Sequence, residues 1–422
     1  MLRIVEETPE QVGGLPLDLD ELAREGARRL LIEALDAEVE AYLERHREAR
    51  DERGHALVVR NGHARERKVT VGSGTLEVRA PRVDNRRVDA EGRRQRFTSQ
   101  ILPPYIRRSP KVAEMLPILY LRGLSTGDFR EALPVLLGPD AAGLSPANIA
   151  RLTGSWEAEY RTFRRRSLKD RDYVYVWADG IHVNIRLEED PLCLLVLIGV
   201  RPDGTKELIA VEDGYRESTE SWLSLLRELK ARGMRAPVVA VGDGALGFWA
   251  AVHQAWPETR EQRCWVHRVR VVLDKLPKRL QAKAKEALQE ILGAATRHDA
   301  EQGIAAFVAE YGPKYPKAAD SLTRDQDELL TFFDFPAEHW KSLRTTNVVE
   351  SPFATVRLRQ RVTKGNGSRT KGLTMAYKLL DMAENRWRRL DGAALLPLVR
   401  AGAAFKDGEL IERTEEEGER AA

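Results

Sequence analysis

The spacing of apolar residues changes several times along the first half of the chain. From Asp18 to Arg50 they recur every three or four positions, which predicts an amphipathic helix or a pair of helices. Between Ala56 and Arg82, two short alternating stretches, Lys68 to Val71 and Thr75 to Val78, predict a small hairpin. Helical spacing returns from Pro110 to Leu137. We therefore expect a mostly helical N-terminal part with one small β element.

Capping signals divide the helical stretch that follows. Ser125 fits an N-cap and Gly138 fits a stop, and a second helix is expected from Ser145, with Pro146 in its first turn. Two short helices joined by a glycine-containing turn are typical of a helix-turn-helix. In that interpretation Ser145 to Arg166 is the recognition helix. A helical hairpin that only packs against its neighbours is the alternative.

The centre of the chain is rich in β-forming residues. Three stretches predict an antiparallel meander, namely Tyr173 to Trp177, Ile181 to Leu187 and Leu192 to Val200, separated by Asp179-Gly180 and by Glu188 to Pro191. A weaker strand (Lys206 to Val211), a helix (Thr219 to Arg232), a buried strand (Pro237 to Val241) and a second helix (Leu246 to Gln254) follow. This order is typical of an α/β fold with a ribonuclease H-like core.

The second half of the chain is almost wholly helical in pattern. The pattern from Val266 to about Trp340 predicts a helical domain inserted into the core. The chain then continues with a helix from Asn347 to Gln360, a basic loop from Val362 to Gly372 and a helix from Leu373 to Leu390. The acidic stretch Thr414 to Glu419 is expected to be frayed.

These elements predict five parts. They are an N-terminal helical segment with a small hairpin (1–95), a helix-turn-helix domain (96–170), a catalytic core (171–265 and 345–395), an all-helical insertion (266–344) and an acidic C-terminal tail (396–422). A length of 422 residues agrees with several folding units.

Composition narrows the class of protein. The chain lacks a run of about 18 apolar residues, and its acidic N-terminus does not fit a signal peptide. Two cysteines, Cys193 and Cys264, are too few for a disulfide framework. We therefore expect a cytoplasmic protein, associated with the nucleoid when it is bound to DNA.

For the question of nucleic-acid binding, local excesses of positive charge are more informative than the net charge of +3. Two basic stretches are candidate DNA-binding segments: Arg161, Arg164, Arg165 and Arg166 in the first, and Arg357, Arg359, Arg361, Lys364, Arg369 and Lys371 in the second. Such residues neutralise phosphates and release counterions. A solvated helix face or loop is the alternative for each stretch.

Three acidic residues are candidates for metal binding. Asp179 and Asp243 each follow a predicted strand and precede a glycine, which would let a phosphate and a metal approach the backbone. Two-metal phosphoryl transfer needs a further acidic group, and Glu350 on a later helix is the candidate. An Asp-Gly after a strand taken alone is usually a turn.

Four segments carry more specific information: Trp177 to His182, Val241 to Ala245, Gln262 to His267 and Thr345 to Ser351. Together, and in this order, they resemble the Mutator-type transposases of bacterial insertion sequences. The resemblance implies that Asp179, Asp243 and Glu350 are the catalytic and metal-binding triad of a ribonuclease H-like core. It also implies that each active site binds two Mg²⁺ ions, which Mn²⁺ could replace. The expected partners are double-stranded DNA of the transposon ends and of the target. Two DNA ends favour a homodimer.

Cys264 and His267 form a Cys-x-x-His pair within one of these segments. A structural zinc site normally has four ligands, and the sequence offers no second cysteine pair nearby. We therefore expect the pair to support the active site or the DNA, with Trp265 available to stack on a base. A buried cysteine and a packed tryptophan are the alternative.

The sequence leaves three functions to be compared. The first is a transposase that cuts at its element's ends and joins them to target DNA. The second is a domesticated DNA-binding regulator without catalysis, and the third is a metal-dependent nuclease without strand joining. The intact acidic triad argues against the regulator, and the helix-turn-helix argues against an unspecific nuclease.

Overall fold

The computed structural model describes residues 18–121, 124, 126–137, 146–185, 189–214, 216–244, 246–363 and 365–411. Several positions used in the predictions lie outside the described residues: Ser125, Gly138, Ser145, Lys364 and the acidic stretch Thr414 to Glu419. The chain divides into two compact units, Met1–Ile149 and Ala150–Ala422. In the described part of the chain, none of the helices combines the length and the apolar character needed to span a bilayer.

The first unit combines helices with two small antiparallel sheets. Its elements are α1 (Leu19–Arg45), β1 (Val58–His63), β2 (Arg67–Val71), β3 (Gly74–Val78), β4 (Pro81–Asn85), α2 (Pro110–Leu121) and α3 (Thr126–Leu137). The strands β2 and β3 form the predicted hairpin, in which Val71 is paired with Gly74, and β1 pairs with β4. Leu35 of α1 shares a buried cluster with Val69 and Leu76, so the helix covers the hairpin.

The helical stretch predicted from Pro110 to Leu137 consists of two helices, α2 and α3. The next helix, α4 (Pro146–Arg165), begins where the sequence predicts a recognition helix. Because α4 crosses the boundary between the two units, the helix-turn-helix stays a prediction.

A five-stranded mixed sheet lies at the centre of the second unit. Its strands are β5 (Tyr175–Val183), β6 (Leu192–Val200), β7 (Lys206–Gly214), β8 (Val239–Gly242) and β9 (Arg260–Arg263), in the order β7-β6-β5-β8-β9. The first three of these strands form an antiparallel meander in which β5 replaces the first two predicted strands and β7 is the third, whereas β8 pairs parallel with β5 and with β9. Every residue of β6 is buried, which explains its unbroken apolar sequence.

Asp179 and Gly180 lie inside one strand, and the prediction that they separate two strands is wrong. In β5, Asp179 is paired with Val196 and Gly180 with Leu195 of β6. The sequence suggests a break because Asp-Gly is a frequent turn dipeptide. The continuous ladder to β6 keeps the backbone extended instead.

The strand β9 was not predicted from the sequence. Its four residues, Arg-Glu-Gln-Arg, include none that is apolar, so the pattern gives no strand signal. Gln262 is nevertheless fully buried, and its side-chain amide donates a hydrogen bond of 3.0 Å to the carbonyl of Leu329. The buried amide nitrogen of Gln262 thus keeps hydrogen-bond partners inside the protein.

Helices surround the sheet. They are α5 (Thr219–Ala231), α6 (Leu246–Ala255), α7 (Trp265–Leu273), α8 (Lys278–Leu292), α9 (Arg297–Tyr311), α10 (Pro316–Thr323), α11 (Gln326–Leu330), α12 (Trp340–Leu343), α13 (Asn347–Thr363), α14 (Arg369–Glu384) and α15 (Leu396–Arg400). Trp222 of α5 and Phe248 of α6 belong to the same buried cluster as Ala178 and Leu195 of the sheet. The segment from α7 to α12, all of it described, is helical as predicted for residues 266–344.

Residues 396–411 depart from the expected acidic tail. They form α15 and a hairpin of β10 (Phe405–Lys406) with β11 (Glu409–Leu410). Leu396, Val399 and Phe405 are buried. Because apolar contacts hold this segment in place, the expectation of a tail does not hold for these residues.

Candidate active site

Asp179 and Asp243 lie at the same end of two neighbouring parallel strands. The register of β5 with β8 ends at Trp177 opposite Val241, and each aspartate comes two residues after that pair. Parallel strands present their carboxyl ends at a common edge. Asp179 Oδ1 accepts a hydrogen bond of 2.9 Å from the backbone N–H of Gly180.

Glu350 reaches this edge from α13. It lies in the first turn of that helix, where its backbone N–H donates a 2.9 Å hydrogen bond to the Thr346 carbonyl. Burial raises the pKa of Asp179 to about 7, and the negative charges of Asp243, Glu350 and Glu217 add to the effect. The charges of the three carboxylates singled out from the sequence thus act on one another at this place, and that of Glu217 contributes as well. We call these four residues the acidic group.

The glutamates that flank Glu350 in sequence lie elsewhere. Glu384 accepts a 3.0 Å hydrogen bond from the backbone N–H of Leu208, and burial raises its pKa to about 7. Glu338 packs against Gly392, where an added Cβ would lie 2.6 Å from the Glu338 Cβ. These surroundings belong to β7 and to the residues that precede α15.

A hydrogen-bonded network connects Glu350 to the Cys-x-x-His pair. The backbone N–H of Thr346 donates a 3.4 Å hydrogen bond to Cys264 Sγ. The Thr346 hydroxyl oxygen lies 3.2 Å from the same sulfur. The Thr346 hydroxyl also contacts Glu350 Oε1. Because a hydroxyl has one proton, it can donate to either the sulfur or the carboxylate. His267 Nδ1 lies 3.8 Å from Glu350 Oε1.

The network polarises the Cys-x-x-His pair. Burial opposes ionisation of Cys264, but hydrogen bonds from His267 and Thr346 outweigh it and lower the pKa of the thiol. The hydrogen bond to Cys264 raises the pKa of His267 to about 9 against the effect of burial, and Glu350 and Asp243 act in the same direction. At neutral pH, His267 therefore carries a positive charge beside the acidic group.

Two kinds of metal ligand meet at this site. Cys264, His267 and Glu350 offer ligand atoms within 4.8 Å of one another, a set whose thiol and imidazole would suit zinc. The carboxylates of Asp179, Asp243 and Glu350 are oxygen ligands of the kind that Mg²⁺ and Mn²⁺ prefer. Structural zinc sites normally use four ligands, so the donor chemistry fits Mg²⁺ at the carboxylates better than zinc at the Cys-x-x-His pair.

Trp265 does not have the surface position needed to stack on a base. Its side chain is fully buried, and its indole N–H donates a 2.8 Å hydrogen bond to the Leu329 carbonyl. The expectation of base stacking is therefore wrong for this residue. Trp265 packs the start of α7 against the segment around α11.

The first predicted DNA-binding stretch is only partly exposed to solvent. Arg161, Arg164 and Arg165 are exposed near the end of α4, and Arg166 is half-buried. Arg164 and Arg166 contact glutamates of β7, with nitrogen–oxygen distances of 2.6 and 3.2 Å respectively. These two arginines therefore hold α4 against the sheet.

The second stretch is divided in the same way. Arg357, Arg361 and Lys371 are exposed. Arg369 donates two hydrogen bonds to Asp213, of 2.6 and 3.0 Å. Arg359 is 1% exposed, which removes it from the candidate DNA contacts because a buried guanidinium cannot reach a phosphate.

Thr346 and Glu217 were missed as site residues by sequence reasoning. Thr346 belongs to one of the four recognised segments, but a threonine beside a helix start gives no signal beyond capping. Glu217 lies just before the N-cap Ser218 of α5, where an acidic residue is expected for helix stability alone. Only the folded chain brings it to Asp179.

Carboxylates grouped at the end of a sheet are the ligand type used in metal-dependent phosphoryl transfer. The sequence matches the family model described as "Transposase, Mutator family" over residues 9–389. The chain therefore belongs to the Mutator family of transposases.

Two named relatives are transposases of insertion sequences. The chain is 56% identical over 302 residues to the "Transposase for insertion sequence element IS6120" of Mycolicibacterium smegmatis, covering 72% of this chain and 93% of the relative. It is 50% identical over 288 residues to the "Transposase for insertion sequence element IST2" of Acidithiobacillus ferrooxidans, covering 66% and 95%. A solved structure, the "Drosophila P element transposase strand transfer complex", covers 69% of this chain and 91% of its own at 11% identity and a TM-score of 0.24.

Proposed function

We propose that the protein binds the ends of its insertion sequence, cleaves DNA there and joins the freed ends to target DNA. Asp179, Asp243 and Glu350 are the proposed catalytic carboxylates. The observation that carries the proposal is the placement of these residues: Asp179 and Asp243 each follow the last paired residues of the neighbouring parallel strands β5 and β8. Glu350 lies in the first turn of α13, which packs against β5. Membership in the Mutator family supports it.

The proposed chemistry has two phosphoryl-transfer steps. In the first, a water oxygen bonds to phosphorus while the bond to the 3′-oxygen breaks and that oxygen takes a proton. In the second, the freed 3′-hydroxyl attacks a phosphodiester of the target and displaces the target's 3′-oxygen. Two Mg²⁺ ions, or Mn²⁺ in their place, would stabilise the negative charge of both reactions. The three carboxylates would hold these ions at the end of the sheet.

The proposal includes a ribonuclease H-like core. An antiparallel meander β5-β6-β7 followed by the parallel strands β8 and β9 supports this description, as does the position of Asp179 on the first strand and of Asp243 directly after β8. The helical segment between β9 and α13 is then the proposed insertion.

We assign a positioning role to Cys264, His267 and Thr346. Cys264 lies at the N-cap of α7 and Thr346 comes directly before α13, so their hydrogen bonds join the two helix starts. The positive charge of His267 lies beside Glu350. This arrangement holds Glu350 toward the sheet edge in the absence of a metal ion.

DNA contact is proposed for five exposed basic residues: Arg161, Arg165, Arg357, Arg361 and Lys371. Arg164 is exposed as well, but its guanidinium is paired with Glu212. Contacts of this kind hold the phosphate backbone and carry no sequence information. End recognition is assigned to the helix-turn-helix prediction in 96–170. A homodimer is proposed because two transposon ends must be brought together.

A strand-transfer assay tests the proposal. Purified protein is incubated with Mg²⁺, a labelled duplex that carries the DNA ends flanking the gene, and a supercoiled target plasmid. Joined products that depend on the flanking ends support a transposase. Binding of the ends without cleavage would indicate the regulator, and cleavage without joined products would indicate the nuclease.

A further inference from the structure

Glu217 is an acidic residue of the site that the triad does not include. It is half-buried and lies just before α5. A Cβ added to Gly180 would overlap its carboxylate, so the carboxylate occupies the space that the missing side chain of Gly180 leaves open. Gly180 follows Asp179 directly. The Glu217 carboxylate therefore lies directly over Gly180, the residue that follows Asp179 in β5.

The backbone of Glu217 is held from the side of Asp243. A Cβ added to Gly247, in the first turn of α6, would lie 2.6 Å from the Glu217 carbonyl oxygen and 2.8 Å from the backbone nitrogen of Thr219. Because α6 begins just after Asp243 and Gly244, its close approach fixes the start of α5 relative to Asp243. Glu217 thus lies between the segments that carry the two aspartates.

The negative charge of Glu217 acts on the acidic group. Its own negative charge contributes to the raised pKa of Asp179. Burial raises the pKa of Glu217, Asp243 adds to the effect, and His182 and His267 oppose it. Like charges held this close are unfavourable unless a cation lies among them.

Glu217 also has a second set of neighbours. His182, Cys193 and Glu217 offer ligand atoms within 4.8 Å of one another. Burial raises the pKa of Cys193 to about 12, which keeps its thiol protonated at neutral pH, whereas the thiolate is the metal ligand. The oxygen of Glu217 is therefore better matched to the carboxylates beside it than to a soft metal held with Cys193.

We propose that Glu217 supplies a fourth carboxylate to the divalent ions held at Asp179 and Asp243. The inference rests on the proposed function and deepens it. The Gly180 space sets where the carboxylate lies, and the contact of Gly247 sets where its backbone lies. Glu217 then helps bind the ions and offsets part of their charge as the phosphodiester enters.

Mn²⁺ binding to the full chain without DNA tests this directly. Free Mn²⁺ is measured by electron paramagnetic resonance in titrations of the wild type, Glu217→Gln and Glu217→Asp. The control is Glu220→Gln, which changes an exposed glutamate in the first turn of α5. Glu217→Gln should weaken Mn²⁺ affinity by about tenfold or more, and Glu217→Asp should recover part of it. A Glu217→Gln affinity equal to that of Glu220→Gln overturns the inference.

The melting temperatures of the wild type and Glu217→Gln distinguish a metal ligand from a residue with only a structural role. Without metal, Glu217→Gln should raise the melting temperature because it removes a like charge from the acidic group, while the rise induced by Mn²⁺ should shrink. A lower melting temperature without metal, combined with a full Mn²⁺-induced rise, would assign Glu217 a structural role only and overturn the inference.

Two further variants distinguish this inference from the proposed function. Asp179→Asn and Asp243→Asn should each weaken Mn²⁺ binding. If both bind Mn²⁺ like the wild type, the proposed metal site is wrong and the inference falls with it. If both lose affinity while Glu217→Gln keeps it, only the role of Glu217 is refuted.

Discussion

Cys264 Sγ lies 3.2 Å from the Thr346 hydroxyl oxygen, and this contact joins the start of α7 to the start of α13. The backbone N–H of Trp265 adds a 2.9 Å hydrogen bond to the Arg344 carbonyl. The long helical segment therefore begins and ends at one place. Because Glu350 follows this closure directly, its position at the sheet edge depends on the whole segment returning correctly.

Asp179→Asn, Asp243→Asn and Glu350→Gln should each reduce strand cleavage by about a thousandfold or more, because each removes a charged metal ligand worth several kcal/mol. DNA-end binding should be nearly unchanged, since phosphate contacts supply most of the affinity. Cleavage and mobility-shift assays measure both. Glu338→Gln and Glu384→Gln are the matched controls and should cleave like the wild type. If one of these controls lost cleavage while Glu350→Gln kept it, Glu350 would have to be replaced in the triad.

Raising the pH should destabilise the metal-free protein through Asp179. The folded pKa of about 7 exceeds the unfolded value of about 3.9, so the folded state holds the proton more tightly. The contribution of this proton to the free energy of unfolding is fully present below about pH 4 and is lost as the pH rises through about 7. In urea unfolding with EDTA, Asp179→Asn should be more stable than the wild type at pH 8, and the gap should narrow toward pH 5. A gap that widens toward pH 5 would contradict this assignment.

Cys264→Ala should leave the metal content of protein purified without chelator unchanged, because the thiol binds Thr346 and His267 and is not assigned to a metal. Elemental analysis of the two proteins checks this. Cleavage should fall while DNA binding remains, since Glu350 loses part of its support. One zinc per chain in the wild type that is absent from the variant would establish a zinc site instead.

Trp265→Phe should lower the free energy of unfolding by about 1–3 kcal/mol, because the indole hydrogen bond to Leu329 and part of the packing of the buried ring are lost. The Leu329 carbonyl keeps the hydrogen bond from Gln262, which limits the loss. Affinity for duplex and single-stranded DNA should stay within about twofold of wild type, since a side chain that is not exposed forms no stacking platform. Urea unfolding and fluorescence anisotropy provide the two measurements. Unchanged stability with weakened single-strand binding would restore the base-stacking role.

Arg361→Ala should weaken binding by a similar factor for end DNA and random duplex, and it should reduce the salt slope of binding by about one. The reason is that an exposed arginine acts through phosphates. Affinity is measured by anisotropy at several salt concentrations. The control is Arg279→Ala, an exposed arginine on α8, and an equal loss in that variant would indicate a general charge effect.

The sequence by itself determined the elements with strong periodicity. The meander, the amphipathic helices and the hairpin of β2 and β3 follow from local apolar spacing, which sets the face that each element buries. The four recognised segments also determined the family, and Asp179, Asp243 and Glu350 could be singled out from them. Local pattern does not, however, report hydrogen bonds between distant segments, so the polar strand β9 and the continuity of β5 through Asp179 were missed.

Tertiary structure decided which side chains meet and which are buried. From the sequence, Arg359 and Trp265 were both candidates for contact with DNA at the protein surface. In the structure, both side chains are buried. The Glu217 carboxylate lies over Gly180 because that residue lacks a side chain, and Thr346 contacts Cys264 because the helical segment closes on itself. These relationships depend on excluded volume and on contacts between residues far apart in the chain, and neither is encoded in spacing along a single element.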